Sequence, residues 1–163
     1  MECYWVMGQR IDFLTTGETT LDDYSLFHVF IPAGPPGPQA HIHHDADEFF
    51  FVLEGLVEVL VEDTWRTLRP GQFQHVPRGT LHTFWNVTPD PSRMLSGFVP
   101  SGFERWFRDF GHAARPGDVD PLPILEAEVQ RLLATSLEYD MEMGPVNEPP
   151  GLGAWTATTT INP

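Results

Sequence analysis

The sequence predicts an all-β domain of the sandwich or barrel type, followed by one or two helices. Between residues 4 and 99, short runs of Val, Phe, Leu and Trp alternate with Gly, Pro and Asp at intervals of roughly ten residues. This spacing is typical of β-strands, whereas the residues after 100 show the longer period of helices. The chain has 163 residues, which is the size of one domain with a single core.

The apolar runs predict ten strands, each bounded by residues that favour turns. They lie near 4–7, 11–15, 25–31, 39–43, 48–53, 56–62, 64–68, 73–76, 81–86 and 94–99. The proline-rich segment 32–38 is predicted to be a loop, because proline lacks the N–H group that a central strand needs.

Two helices are predicted after the last strand. The first begins with the spacing of a capping box, Ser101 and Glu104, and then shows an aromatic stripe. The stripe consists of Phe103, Trp106, Phe107 and Phe110. We expect it to pack on the barrel, with a lid over the barrel mouth as the alternative.

The second helix is predicted over 123–141, with one apolar face. That face consists of Leu125, Val129, Leu132, Leu133 and Leu137. These elements divide the chain into a β-barrel (1–100), a helical extension of the same domain (101–143) and a tail (144–163).

The composition excludes several classes of function. All nine basic residues are arginine, and 23 acidic residues give a formal net charge of −14. A chain this acidic is not expected to bind nucleic acid or an anionic membrane. The absence of lysine excludes Schiff-base chemistry, pyridoxal attachment and a phosphate-binding loop, because each needs a lysine amine.

The chain is expected to be soluble and cytoplasmic. Its single cysteine, Cys3, has no partner for an intrachain disulfide, which favours a reducing compartment. The N-terminal residues lack the apolar run of a signal peptide, and no stretch of about 18 apolar residues is present to span a bilayer.

Two motifs predict a metal site. The first reads H-x-H-x4-E-x6-G, through His41, His43, Glu48 and Gly55. The second reads G-x5-P-x-G-x2-H-x3-N, through Gly71, Pro77, Gly79, His82 and Asn86. Residues two apart on a strand point to one face, so His41 and His43 can share an ion. His44 points away, unless a β-bulge exchanges it with His43.

Three imidazoles and one carboxylate suit Mn, Fe, Co, Ni, Cu or Zn, whereas Ca and Mg prefer oxygen ligands. Four protein ligands leave one or two coordination positions open, as in a catalytic site. Hydrogen bonds from Arg78, Asn86 or His75 are candidates for orienting the ligands. A predicted substrate pocket on the same interior consists of Phe50, Val52, Phe73, His75 and Phe84.

The two motifs resemble those of the cupin superfamily over about residues 34–90. The resemblance implies a double-stranded β-helix, or jelly-roll, barrel that binds one divalent transition metal through His41, His43, Glu48 and His82. The first cupin motif usually opens with a glycine, and Pro35 holds that position here with Gly34 beside it. This departure affects the loop and leaves the ligands intact.

The C-terminal helices resemble those of single-domain cupins likened to quercetin dioxygenases. That resemblance implies a metal-dependent dioxygenase that cleaves a flavonol or another enolisable aromatic with O2 and releases carbon monoxide. Glu48 would then act as both ligand and general base. The alternatives are a non-redox metal cupin (isomerase, lyase or decarboxylase) and a non-catalytic small-molecule-binding cupin.

A homodimer is a further expectation from the same resemblance. The N-terminal strands and the outward face of Phe49, Phe51 and Leu53 would form the contact, unless the C-terminal helices cover that surface.

Overall fold

The computed structural model describes residues 1–34 and 37–145. The chain begins with β1 (Cys3–Val6), β2 (Gln9–Thr15), a short helix α1 (Gly17–Thr20), β3 (Ser25–Ile31) and β4 (His41–His43). It continues with β5 (Asp47–Glu54), β6 (Val57–Val61), β7 (Thr64–Leu68), β8 (Phe73–Val76), β9 (His82–Trp85) and β10 (Ser92–Val99). It then forms α2 (Glu104–Phe110), β11 (His112–Ala113), α3 (Glu126–Thr135), a 3₁₀ helix (Ser136–Tyr139) and β12 (Met141–Met143).

The strands form two antiparallel sheets. One has the order β11-β1-β2-β3-β10-β5-β8 and the other the order β12-β4-β9-β6-β7. Strands distant in sequence are therefore neighbours, as in a jelly roll. The predicted all-β fold class is confirmed, and the ten predicted strands are present with ends that differ by no more than two residues.

The core lies between the inner faces of the two sheets. Residues along each strand alternate between this interior and the outside, so Glu48, Phe50 and Val52 of β5 share the inner face. Fully buried apolar residues from both sheets fill the space, including Phe27, Phe50, Val52, Val57, Val59, Met94 and Phe98. Glu48 is thus placed on a face that is otherwise apolar along β5.

Helix α2 packs on the barrel through the predicted aromatic stripe. Trp106 is buried, and Phe103, Phe107 and Phe110 are partly buried against the core. The predicted capping box is wrong, because Gly102 has a φ of +126° and the helix begins only at Glu104. The Glu104 carboxylate instead accepts hydrogen bonds from the backbone N–H groups of Gly102 (2.7 Å) and Gly17 (2.9 Å).

The second predicted helix is too long, and its predicted apolar face is largely wrong. Leu132 is buried, whereas Leu125, Leu133 and Leu137 are exposed. The backbone turns at Asp140, in the left-handed region, and β12 then pairs with β4. This pairing gives hydrogen-bond partners to the backbone groups at the edge of β4. If the helix continued instead, those groups would lack partners.

The extension after residue 100 therefore contributes strands as well as helices. Of the predicted tail, the described residues include only 144–145, and Pro35 also lies outside the described residues. Within residues 1–34 and 37–145, no helix is long and apolar enough to cross a membrane.

Candidate metal centre

Four side chains from both sheets converge at one end of the barrel interior. They are His41 and His43 of β4, Glu48 of β5 and His82 of β9. His41 lies directly opposite His82 across the β4–β9 pair, and His43 follows on the same face. One ligand-type atom from each residue lies within 4.8 Å of the others, and all four residues are buried. The predicted grouping of these four side chains is therefore present.

The distances fit a transition-metal ion. The His82 Nε2 atom lies 2.8 Å from Glu48 Oε2, and His43 Nε2 lies 3.5 Å from the same oxygen. The ring centroids of His41 and His82 are 4.6 Å apart. Donors bound to one ion at about 2.0–2.3 Å are separated by about 3–4.5 Å, so modest movements would bring all four to one ion.

Hydrogen bonds on the outer nitrogens orient two of the histidines. His41 Nδ1 donates to the backbone carbonyl of Gln39, and His82 Nδ1 donates to that of Thr80, both at 2.8 Å. A neutral imidazole bound in this way directs the Nε2 lone pair toward the cluster. His82 Nε2 and Glu48 Oε2 can then lie 2.8 Å apart only when a proton or a cation is between them. This donor set fits a bound cation.

The charge states also suit a cation. Burial lowers the pKa of His41 well below its usual range, and the neighbouring His82 and His43 lower it further. Burial also lowers the pKa of His43. Burial acts to raise the pKa of Glu48, but the His43 and His82 nitrogens beside it outweigh this effect, and the net pKa lies below the usual range. Neutral histidines and an ionised carboxylate are the forms that bind metals.

The residues that orient the cluster are not the three candidates from the sequence. Asn86 donates to backbone carbonyls, including that of Asp90 at 2.8 Å, and Arg78 and His75 contact Asp47. Besides the two backbone carbonyls, Ser96 Oγ donates to Glu48 Oε1 at 2.9 Å. The two carbonyls belong to Gln39 and Thr80, which lie two positions before His41 and His82 in the sequence. The Ser96 contact depends on the pairing of β5 with β10.

We expect Ser96→Ala to weaken metal binding by about 10- to 100-fold, because the Glu48 carboxylate loses the partner that orients it. Ser92→Ala is the matched control, since Ser92 is a buried serine of the same strand that bonds to Leu56 instead. Competition with a chromophoric chelator measures both affinities. Equal affinity in the two variants would contradict the assigned role of Ser96.

Of the five residues predicted to line a substrate pocket, three lie in the barrel interior and two do not. Phe50, Val52 and Phe84 do lie in the interior, where they are buried core residues. The predictions for Phe73 and His75 are wrong: Phe73 is 58% exposed and the His75 side chain is 50% exposed. In the β5–β8 pair these two residues lie opposite Phe51 and Phe49, and opposite residues share a face. That face is the outer one.

The alternative in which His44 replaces His43 is also wrong. The His44 side chain is 45% exposed, and its Nε2 atom lies 3.0 Å from Glu142 Oε2 on β12. β4 pairs with β12 through His41, Ile42 and His43 in regular register, so no bulge changes the direction of these side chains.

A cavity of about 410 Å³ lies at this end of the barrel, with His43 in its wall. Near this cavity, Arg78 bonds to the β4–β5 loop and to the ends of two strands. Its Nε atom donates to Asp47 Oδ1 at 2.8 Å, and its terminal nitrogens donate to the carbonyls of Asp45 and Val99. Hydrogen bonds from Arg78 lower the pKa of Asp47 to about 2. Arg78 therefore joins the β4–β5 loop to the start of β5 and the end of β10.

Comparison with known proteins identifies the family. A family profile described as "Cupin domain" matches residues 27–98, which include all four clustered side chains. Quercetin 2,3-dioxygenase of Bacillus subtilis (strain 168) is 33% identical over 87 residues, which are 52% of this chain and 26% of that enzyme. The chain thus spans about a quarter of the length of that relative.

Two further matches cover more of the related protein. An uncharacterised protein of Aquifex aeolicus (strain VF5) is 32% identical over 93 residues, 57% of this chain and 72% of that protein. The structure of KdgF from Halomonas sp. matches with a TM-score of 0.53 and 26% identity, covering 60% of this chain and 84% of that one. With its two motifs and its jelly-roll topology, the chain belongs to the cupin superfamily.

Proposed function

We propose that the chain is a metal-dependent dioxygenase that cleaves a flavonol or another enolisable aromatic substrate with O2. His41, His43, Glu48 and His82 would hold one divalent transition metal ion. The observation that carries the proposal is the convergence of three imidazoles and one carboxylate beside a cavity. The similarity to a quercetin 2,3-dioxygenase supports the choice of substrate class.

When bound, the ion would supply an open coordination position and a positive charge that favours an enolate-like oxygen of the substrate. In the overall reaction both atoms of O2 enter the product, and one ring carbon leaves as carbon monoxide. Glu48 would accept the proton of the substrate hydroxyl group, since its carboxylate is ionised and within the cluster. Ser96 would keep that carboxylate oriented through Oε1.

The apolar surroundings favour an aromatic substrate over a sugar phosphate or a small dicarboxylate. Phe98 and Phe103 pack against His43, with ring centroids 5.0 and 4.3 Å away. Among the residues that line the cavity within the described part of the chain, Arg105 is the single arginine. A site for a phosphate or a dicarboxylate is expected to have several inward cationic groups.

Metal analysis followed by oxygen uptake tests the proposal. The protein is loaded separately with Mn, Fe, Co, Ni, Cu and Zn and mixed with a panel of flavonols, while oxygen consumption and carbon monoxide release are recorded. We expect both signals with at least one metal. Retained metal without oxygen uptake would favour a non-redox isomerase, lyase or decarboxylase, and failure to retain any metal would favour a binding protein.

We further propose that two copies associate through the outer face of the seven-stranded sheet. Phe49 and Phe73 stack there with centroids 6.1 Å apart, and Phe73 and Leu53 are exposed. Exposed apolar patches of this kind are typical of protein contacts. Light scattering is expected to give twice the mass of the chain, and Phe73→Glu should give a monomer; a monomeric parent would contradict this proposal.

A further inference from the structure

The C-terminal strand β12 lies beside the strand that carries two of the four clustered side chains. β12 pairs antiparallel with β4, and Met141 and Met143 lie opposite His43 and His41. Opposite residues share a face, so both methionines point to the same side of the sheet as these histidines. Met141 is 3% exposed and belongs to the hydrophobic core. The extension after residue 100 therefore reaches back to the edge of the barrel where the cluster lies.

Backbone hydrogen bonds join β12 to β4 along the whole length of the pair. The His44 N–H donates to the Asp140 carbonyl at 2.9 Å, and the Gly144 N–H donates to the Ala40 carbonyl at 2.7 Å. In an antiparallel pair, bonded positions alternate with unbonded ones. Glu142 lies midway between these two bonds and is therefore at a bonded position, so its N–H group points to β4.

On its other side, β4 shares a much shorter ladder of bonds. Among the described residues, β4 pairs with β9 at a single position, where His41 lies opposite His82. The Gly79 N–H also donates to the His43 carbonyl on this side, at 2.7 Å. Because β4 has only three residues, its position depends largely on the strand with which it shares the longer ladder. That strand is β12.

Gln39 connects the end of β12 to the imidazole of His41. The Gln39 Nε2 atom donates to the Gly144 carbonyl at 2.6 Å, and the Gln39 carbonyl accepts the hydrogen bond from His41 Nδ1 at 2.8 Å. The second bond holds His41 in the tautomer whose Nε2 lone pair points to the cluster. A shift of β12 would therefore move Gln39, and with it the group that orients His41.

β12 is itself held by contacts between helix α2 and the 3₁₀ helix. The Tyr139 hydroxyl donates to Asp109 Oδ2 at 2.9 Å, and Arg105 donates to the Glu138 carbonyl at 2.8 Å. The Arg105 guanidinium also lies over the Tyr139 ring at 4.8 Å. Asp140 then turns the chain into β12 with a φ of +55°. The position of β12 is thus set by contacts outside the cluster.

We propose that β12 is the positioning strand of the metal site: its backbone ladder holds β4 so that His41 and His43 face Glu48 and His82 before a metal binds. β12 supplies none of these four side chains and acts through β4. The inference rests on the metal-binding part of the proposed function and deepens it, because it makes metal affinity depend on the docking of the C-terminal extension. Metal binding must in turn strengthen that docking, since coupling between two sites is reciprocal.

The first test removes one backbone bond. Glu142→Pro deletes the N–H group that β12 donates to β4. Glu142→Ala is the matched control, because it removes the same exposed side chain and its contact with His44 but keeps the N–H group. Competition with a chromophoric chelator for Zn²⁺ measures the affinities. Relative to the parent, we expect affinity about tenfold or more weaker in Glu142→Pro and within about twofold in Glu142→Ala.

Spectroscopic signatures separate positioning from simple loss of stability. In the metal-free protein, the imidazole nitrogen shifts of His41 should show the Nδ1–H tautomer in the parent and in Glu142→Ala. Glu142→Pro should show a mixture of tautomers. After loading with Co²⁺, its visible absorption spectrum should also differ from that of Glu142→Ala, because the spectrum follows the coordination geometry. Circular dichroism confirms that each variant is folded.

Hydrogen exchange in the parent tests the same coupling if Glu142→Pro does not fold. Adding Zn²⁺ should slow exchange of the Gly144 amide by about tenfold, the same factor by which loss of the ladder weakens metal binding. The Ala114 amide is the control, since it belongs to the same extension but donates to the Cys3 carbonyl at the edge of the other sheet. Its exchange rate should not change.

The outcomes separate this inference from the proposed function. If the parent retains metal but the proline and alanine variants bind it equally, or Gly144 exchange does not respond to metal, only the positioning role of β12 is overturned. If the parent retains no metal but the His41 tautomer responds to Glu142→Pro, the proposed function fails and the positioning role stands. If neither is observed, both fail.

Discussion

His82→Ala is expected to abolish metal retention and oxygen uptake while the barrel still folds. The variant removes the imidazole whose Nε2 atom lies 2.8 Å from Glu48 Oε2, and the remaining donors form an incomplete set. Loss of a direct ligand should exceed the 10- to 100-fold effect of its hydrogen-bond partners, so metal affinity should fall more than about 100-fold. Glu48→Ala should have the same result, because it removes the carboxylate. Metal content by mass spectrometry and oxygen-electrode traces measure both losses.

His44→Ala is the matched control for these ligand variants. His44 directly follows His43 on the chain but faces outward toward Glu142. Metal content and oxygen uptake should therefore match the parent. His82 is almost fully buried, so circular dichroism must show that His82→Ala is folded. If His82→Ala does not fold, His82→Gln replaces it, because glutamine fills more of the space. Full activity in a folded His82 or Glu48 variant would refute the site.

Asp12→Asn is expected to lower the free energy of unfolding by about 3–5 kcal/mol at neutral pH, because it breaks a buried ion pair. The Arg10 and Asp12 side chains are 3% and 7% exposed, and the Asp12 carboxylate accepts hydrogen bonds from Arg10 Nε (2.8 Å) and Cys3 Sγ (2.8 Å). His28 Nδ1 lies 3.0 Å from the other carboxylate oxygen. Removal of the charge leaves the buried Arg10 guanidinium without its counter-ion. Chemical denaturation measures the difference in the free energy of unfolding.

The loss should depend on pH with a definite sign. Burial acts to raise the pKa of Asp12, but hydrogen bonds from Arg10, Cys3 and His28 outweigh this effect and the net pKa is lowered. A lowered pKa in the folded state stabilises the protein above the unfolded-state pKa of about 3.9. That stabilisation is lost as the pH falls through the folded-state pKa, so the parent and Asp12→Asn should converge in acid.

Glu54→Gln is the control for this pH series. Glu54 pairs with Arg93 at 3.5 Å with both side chains exposed, and such pairs contribute about 0–1 kcal/mol. If the free energy of unfolding of the parent and that of Asp12→Asn differ by the same amount at neutral and at acidic pH, the Asp12 carboxylate is not the stabilising charge.

Much of the fold could be predicted because strand patterns are local. The alternation in Glu48, Phe50 and Val52 correctly places one acid and two apolar side chains on the inner face. The end of the chain could not be predicted in the same way. The pattern of 123–141 favours a helix, but β12 gains its hydrogen bonds from β4, about 100 residues earlier in the sequence.

The four side chains predicted to converge do cluster, whereas part of their predicted surroundings is wrong. His41 and His43 share a face on any strand, whatever its neighbours. For Phe73 and His75, in contrast, the face depends on how β8 pairs with β5, and that pairing places them outside. The contact of Ser96 with Glu48 and the cavity at the barrel mouth likewise join residues from separate parts of the chain.

The sequence by itself determined the strand class and the four side chains that cluster in the barrel, since both follow from residue types at short spacing. Only the tertiary structure decided which side of β8 faces outward, which groups orient the four clustered side chains, and that Phe98 and Phe103 pack against His43. The physical reason is that neighbouring strands are joined by hydrogen bonds between distant residues, and short-range patterns do not specify that register.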